Sequence, residues 1–361
     1  MVQKLREWLE IRIGLDELIR SQLTEYRVPK NINIFYTLGM VAFAAFLFQV
    51  LTGILLLFYY IPDDKDAFQS VQFIMNQVPY GWLFRLMHAV GSNLMVAVVL
   101  LHMGSVFFLG GYKKPRELTW VVGALMLLTT LGFCLSGYLL PWTQLSFWAT
   151  TVVTNIPTAF PFCGDLVCNI LRGSENVSGA TLNRFFALHV AFLPLLLVSL
   201  FALHVFLVRR IGISAPPSSS EEPQEWQEFH HESHPDGLPF YPFFVSKETL
   251  MIVVYLIIMF AIISFAPALF IPGDANIPAD PFNTPEHIRP EWYFLAPYEM
   301  LKLIPNRFLG IALQLVLVVV FILWPFIDTS KNHNILKRPL LLTLFFVTIV
   351  VWVGITLWGS Y

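Results

Sequence analysis

Four histidines set the chemistry open to this chain: His88, His102, His189 and His204. Imidazole ligates metals and carries protons. Each of the four lies in a stretch apolar enough to cross a bilayer, where polar groups are costly and usually functional. In GWLFRLMHAVGSNLMVAVVLLHMGSVFFLGG, Gly81 to Gly111, His88 and His102 are 14 residues apart. On a helix that is about 21 Å of rise and only about 40° of rotation, so both rings face one neighbour. NRFFALHVAFLPLLLVSLFALHVFLVRR, Asn183 to Arg210, repeats the plan with His189 and His204, 15 apart. The added residue turns the second ring further round the helix. Pro194 lies between the two and lacks a backbone donor, so a kink there is expected to absorb it. A lone intramembrane histidine is more often a hydrogen-bonded core residue than a ligand; the nearly matched spacing on two helices carries the metal reading. Such a pair can clamp two flat cofactors between them, the layout of two haems with bis-histidine ligation, one near each membrane face.

Other residues share that periodicity. Gly39 and Gly53 are 14 apart, as are Gly123 and Gly137, and small residues at that spacing let a macrocycle approach the backbone at the two histidine depths. Ordinary helix packing would also use glycine there. Arg85, one turn before His88, could offset the propionates of an outer haem, and Lys113, Lys114 and Arg209 those of an inner one, although the latter also fit plain positive-inside charges. Downstream, TPEHIRPEWYFLAPYEMLKLIPN (Thr284 to Asn306) sets Glu291 among aromatics beside the outer face. A partly buried carboxylate has a raised pKa and can accept a proton from a hydroquinone hydroxyl, then release it to water.

The elements that must position these residues are membrane helices. The 361 residues are 56% apolar and only 13% charged, which excludes an ordinary soluble globule, and a net charge of −2 excludes nucleic acid as a plausible partner. Expected is an all-α integral membrane protein with seven spans, near 33–60, 82–109, 119–140, 185–208, 249–271, 308–327 and 339–358. Residues 1–32 read as an amphipathic surface helix, 33–210 as a four-helix di-haem unit, 211–247 as a Pro- and Ser-rich cytoplasmic linker and 248–361 as a three-helix unit with the outer loop. In the linker, His230, His231 and His234 read as solvated loop histidines rather than metal ligands. Basic residues at Lys113, Lys114, Arg116, Lys331, Lys337 and Arg338 mark the inner side, which puts His88 and His189 near the outer face and His102 and His204 near the inner one. Cys163 and Cys168 lie in an outer loop where a disulfide is permitted and slightly favoured over free thiols; Cys134 reads as packing.

The histidine quartet, the glycine pairs, SGYLLPWTQLSFWATTVVTNIP (Ser136 to Pro157) and Pro290-Glu291-Trp292-Tyr293 together resemble cytochrome b of the cytochrome bc family, over nearly the whole chain. The resemblance implies a quinol:electron-acceptor oxidoreductase carrying two non-covalent haem b groups, the low-potential one on His88 and His189 and the high-potential one on His102 and His204. It implies quinol oxidation at an outer pocket walled by the Tyr138–Thr154 stretch, Glu291 and Tyr293. One electron would pass to a Rieske iron–sulfur protein and the other across the membrane to quinone at an inner pocket with Arg209 and Glu248, coupled to proton translocation. A cytochrome c-type subunit, membrane lipid and a second copy of the complex are the further partners implied, in a bacterial inner membrane. The 15-residue histidine step and KNINIFYTLG near the start are similar to the chloroplast-type branch. That branch tethers a third haem through a cysteine where this chain has Thr37, so no covalent third haem is expected. The continuous chain is similar to the mitochondrial type, although the eighth helix usual there is not expected.

Two other classes suit a histidine quartet. A di-haem anchor of a membrane dehydrogenase or hydrogenase needs neither the Pro-Glu-Trp-Tyr loop nor a second helical unit. A transporter would place more charge within the spans, which here carry almost none besides histidine.

Overall fold

The structure is a computed structural model and describes residues 1–217, 234, 236–271, 273–286 and 288–360; His230 and His231 lie outside them. The chain opens with α1 (Val2–Ile13) and α2 (Leu15–Ile19). The single surface helix expected over 1–32 is broken, because Gly14 adopts φ 59° and ψ 47°, a left-handed conformation that ends α1. A π turn at Arg20–Thr24 leads into strand β1 (Arg27–Val28).

The first span, α3 (Leu38–Leu57), precedes the outer helix α4 (Ala67–Asn76) and the long α5 (Gly81–Phe108). Then come α6 (Glu117–Leu139), the outer helices α7 (Gln144–Asn155) and α8 (Gly164–Arg172), and the fourth crossing. That crossing is composite: α9 (Gly179–Ala187), a π turn at Leu188–Phe192, and α10 (Leu193–Ile211). Strand β2 (Leu238–Pro239) pairs antiparallel with β1, Arg27 opposite Pro239, so the N-terminal segment is tied to the start of the second unit. The remainder is α11 (Val245–Phe265), α12 (Trp292–Leu303), α13 (Arg307–Ile322), the single turn α14 (Trp324–Ile327) and α15 (Pro339–Gly359).

Among the described residues six helices are long and apolar enough to span a membrane. The segment expected as a span at 308–327 is instead the 16-residue α13, broken from α14 at Leu323. Pro325 has no N–H to offer the carbonyl one turn back, that of Phe321, and the Trp120 indole donates to that carbonyl instead, at 2.9 Å.

Helix α3 lies along α5, and α6 along α10. Helix α11 joins them rather than standing apart: Tyr255, Met259 and Ile263 pack on Val41, Ala45 and Phe46 of α3 and Val90 and Met95 of α5. The outward faces of α13 and α15 expose Leu315, Val316, Leu340 and Val350, as helices in lipid do. Two expectations fail at the surface. Cys163 and Cys168 are free thiols, Cys163 exposed and Cys168 buried, because α8 begins between them and seats only the latter against the bundle. His234 is buried rather than solvated, its Nε2 donating to the Ile213 carbonyl at 3.1 Å.

Candidate functional site

Helix α5 presents His88 and His102 to the His189 and His204 side of the bundle. The His88 and His189 rings face each other with centroids 6.2 Å apart and planes at 73°. His102 and His204 are close enough to act on one another electrostatically. The 15-residue step is reconciled by the π turn at Leu188–Phe192, which holds His189 and inserts one extra residue into the helix. Pro194 is not itself the absorber: it sits in the first turn of α10, just after the bulge, where its missing donor costs least.

Each glycine of the two pairs stands beside one histidine. A Cβ on Gly39 would lie 3.2 Å from His102 Cε1, and one on Gly53 3.3 Å from His88 Cε1. On α6, a Cβ on Gly123 would meet His204 Cε1 at 3.4 Å and one on Gly137 would meet His189 Cε1 at 2.5 Å. The flanking helices are therefore thinnest at both histidine depths.

The two pairs differ at Nδ1. Thr52 Oγ1 is 2.9 Å from His88 Nδ1, and Ser136 Oγ is 3.1 Å from His189 Nδ1. Both hydroxyls donate to backbone carbonyls, Thr52 to Phe48 at 2.7 Å and Ser136 to Gly132 at 2.8 Å. A hydroxyl has one proton, so each oxygen accepts from the imidazole, which assigns the proton to Nδ1 and leaves the Nε2 lone pair for a metal. At the inner pair, Nδ1 of His102 and of His204, the latter beside the Thr119 backbone, are buried without a hydrogen bond among the described residues. Sequence reasoning missed Thr52 and Ser136; each stands one residue before a glycine already singled out.

A cavity of about 380 Å³ joins the outer pair to the Pro-Glu-Trp-Tyr segment: Gly53, Arg85, His88, Gly137, Tyr138, His189, Glu291 and Tyr293 all line it. A smaller pocket of about 20 Å³ adjoins, between Tyr138, Ala149, Thr150 and Val153 on one side and Pro290, Glu291 and Phe294 on the other. The stretch from Tyr138 to Thr154 thus does face Glu291. Burial pushes the Glu291 carboxyl up to about 7 and the Tyr293 phenol well above its usual range. Cys134, expected only to pack, lines both spaces and lies against Tyr293.

The outer loop is held over this cavity by α7. Trp142 takes a left-handed φ of 52° that turns the chain from α6 into α7, and its carbonyl accepts from Ala279 N at 3.1 Å. Gln144, buried, receives Asp280 N at 2.7 Å, donates through its own backbone N–H to the Ile277 carbonyl at 2.8 Å, and donates from Nε2 to the Asn283 carbonyl. Arg172 caps the end of α7, donating to Thr154 Oγ1 at 2.8 Å and to the Thr151 carbonyl at 2.9 Å. No motif marked Gln144, because its partners are loop backbone far along the chain.

At the inner side, the Arg209 guanidinium lies 4.4 Å over the Tyr26 ring and 4.7 Å over Phe240, and Glu248, buried in the first turn of α11, feels its charge. Arg209 and Glu248 thus lie within electrostatic reach of each other. Thr37 is fully buried, its hydroxyl donating to the Ile34 carbonyl at 2.6 Å. Lys113 departs from expectation. It is 4% exposed, and its Nζ lies 2.7 Å from Asp328 Oδ2 and 2.7 Å from the Ser330 carbonyl, so its charge is taken by the C-terminal unit rather than left for a propionate. Lys114 is exposed. Arg116, counted at first only as a loop charge, is half-buried beside Tyr26 and Tyr36 and donates to the Gly212 carbonyl at 3.1 Å.

A family model described as Cytochrome b/b6/petB matches residues 23–212, and one described as Cytochrome b(C-terminal)/b6/petD matches residues 278–361. Cytochrome b of Rickettsia conorii is 37% identical over 341 residues, 94% of this chain and 83% of that protein. The chain belongs to the cytochrome b family. Cytochrome b of Allochromatium vinosum is 35% identical, covering 96% of this chain and 87% of its own length. A solved structure, the hyperthermophilic respiratory Complex III, superposes with a TM-score of 0.90 at 36% identity, over 98% of this chain and 91% of its counterpart.

Cytochrome b membership implies haem b, and the residues present fit it. Four glycine faces a Cβ would fill, and two imidazoles tied at Nδ1 by hydroxyls with Nε2 left open, suit ligation between the helix pairs.

Proposed function

We propose that this chain is the quinol-oxidising cytochrome b subunit of a bc-type complex in a bacterial cytoplasmic membrane. His88 and His189 would hold one haem b near the outer face, with Arg85 toward its propionates, and His102 and His204 a second near the inner face. When bound, these groups supply reversible one-electron redox chemistry at iron. The observation that carries the reading is the single cavity that holds the outer histidine pair and Glu291 together.

Quinol oxidation releases two electrons and two protons. Glu291 lies where a quinol hydroxyl would sit against the Tyr138–Thr154 wall, and its carboxylate accepts one proton and carries it toward the outer water. Tyr138 and Tyr293 shape the pocket and keep it dry. One electron goes to a Rieske iron–sulfur protein and on to a cytochrome c-type subunit, the other to quinone at the inner face, where Arg209 and Glu248 bind quinone and supply a proton. Protons released outside and taken up inside build a gradient. The complex is a dimer, as the family resemblance implies.

The test is pyridine haemochrome quantification with a redox titration of the purified chain, beside quinol oxidation by the intact complex. Two b-type haems with separated potentials are expected, one of them lost in His102→Leu; no haem overturns the reading. Glu291→Gln should slow quinol oxidation by about a hundredfold, the lower range for a positioned base, with both haem spectra intact. Because only the ionised carboxylate accepts a proton and burial holds it near 7, the wild-type rate should rise with pH through about 7. The Gln variant should lack that limb, and unchanged turnover removes Glu291 from the proton path.

A further inference from the structure

We propose that Asn93 is a positioning residue for Glu291, acting through the indole of Trp292; the inference rests on the reading of Glu291 as proton acceptor. Trp292 Nε1 donates to Asn93 Oδ1 at 2.9 Å, across 199 residues of chain. Asn93 stands on α5 five residues after His88, within an apolar span and only 5% exposed. A buried amide there is costly unless both its ends are satisfied. Its Nδ2 donates back to the Ala89 carbonyl at 3.1 Å, which leaves Oδ1 to accept. Indole is a donor only, so this pairing also fixes which way the amide points.

Glu291 needs such support. It is the residue before the first turn of α12, and its side chain makes no capping bond to its own helix. The carboxylate is therefore aimed by the backbone at 291–292 and by what holds it. The indole does so: it is anchored to α5 at one end and packed edge-on against Tyr293 at 5.3 Å and 77°. Tyr293 in turn packs on Phe294 at 4.9 Å, so the aromatic run reaches the wall of the smaller pocket. Asn93 lines the same cavity as His88 and Glu291. One hydrogen bond thus fixes the distance between the helix carrying an outer histidine and the turn carrying the acid.

Among the described residues, the titratable groups around Glu291 are Cys134 and Tyr138 from α6, Tyr293 from α12 and, across the cavity, Tyr60 after α3, Arg85 and His88 from α5, and His189. None is altered by removing the Asn93–Trp292 bond. A shift in the acid-side limb of the rate then reports on how Glu291 itself is held.

The test compares wild type, Asn93→Leu, Trp292→Phe, the double variant and Glu291→Gln in the intact complex, reading quinol-oxidation kcat and KM across pH beside the haem spectra. Leu keeps the γ-branched shape of Asn without its polar atoms, at the cost of added bulk, and Phe keeps an aromatic ring without the N–H. Each single variant should lose about three- to tenfold in kcat, the scale of one neutral hydrogen bond, with little change in KM. The acid-side limb should move to lower pH, because a loosened carboxylate gains water. The double variant should fall no further than the worse single one, since both remove one bond. Should Asn93→Leu lose its haem, Trp292→Phe alone decides. A normal kcat with an unmoved limb in the single variants, or losses that multiply in the double, overturns the inference while a slow Glu291→Gln leaves the acceptor reading standing. Unchanged turnover in Glu291→Gln overturns both.

Discussion

The outer and inner histidine pairs are built differently at a single atom each. Where Thr52 and Ser136 accept from Nδ1, the imidazole gains electron density, and a more basic ligand stabilises the oxidised metal. The inner pair lacks that hydroxyl support. Thr52→Val should therefore raise the midpoint potential of the outer haem and leave the inner one in place, read by redox titration with haem content measured in parallel; an unmoved potential would show that the hydroxyl only packs. These contacts were half-legible. The glycine spacing located the depth of the site, but a Thr or Ser one residue before a glycine carries no signal by itself, because its role depends on which ring another helix brings opposite.

Among the elements, the composite fourth crossing decides most. A regular helix would place His189 and His204 on divergent faces; the π turn at Leu188–Phe192 restores the register, and α6 presents its glycines opposite. The tolerance at the two depths is unequal. Gly137→Ala would put a Cβ 2.5 Å from the His189 ring; on the proposed function that ring is held at iron and cannot retreat, so the outer haem should be lost. Gly123→Ala meets His204 at 3.4 Å, an ordinary contact, and should keep the inner haem. Separate quantification of the two haems by their potentials checks both. Need for an absorber of the extra residue was readable from the 15-residue step. Its place was not, because a π turn reflects how the crossing packs against α6 rather than any residue type of its own.

For the whole molecule, the two halves are clamped at the inner side by Asp328. The carboxylate binds Arg338 at 2.6 and 2.8 Å, Lys113 Nζ at 2.7 Å and the Tyr112 hydroxyl. Burial alone would raise its pKa, but these bonds hold it well below the usual carboxylate range. The stability it contributes is therefore present above the ordinary carboxylate pKa and is lost as pH falls through the lowered value. Asp328→Asn strands Lys113 in a site 4% exposed, and breaking such a pair costs about 3–5 kcal/mol. The variant should show a lower thermal midpoint in detergent, with haem spectra retained below it. Around the clamp, Trp120 packs on Phe321 at 5.2 Å and Phe107 on Phe345 at 5.3 Å, which seats α13 and α15 against the first four crossings. The outer side is closed by Gln144, and α11 is built into the bundle core, so the division into two units is one of chain order more than of space.

Hydropathy and spacing alone determined the class of protein and four of the six long apolar helices to within a few residues, although the composite fourth crossing starts earlier than expected, at Gly179, and the fifth runs Phe240–Phe265 rather than 249–271. They also set the depth of the four histidines and the acid in its aromatic run. Burial in lipid makes those patterns stringent, since every polar group kept within a span must have a purpose or a partner. Tertiary structure decided what local pattern does not encode. It broke α13 from α14 where Pro325 released a carbonyl to Trp120, and it turned Lys113 from a candidate anion binder into half of a buried ion pair. It kept Cys163 and Cys168 apart and tied Trp292 to Asn93. Each of those outcomes depends on which atom a distant segment of chain brings within 3 or 4 Å, and such pairings exist only once the helices have packed.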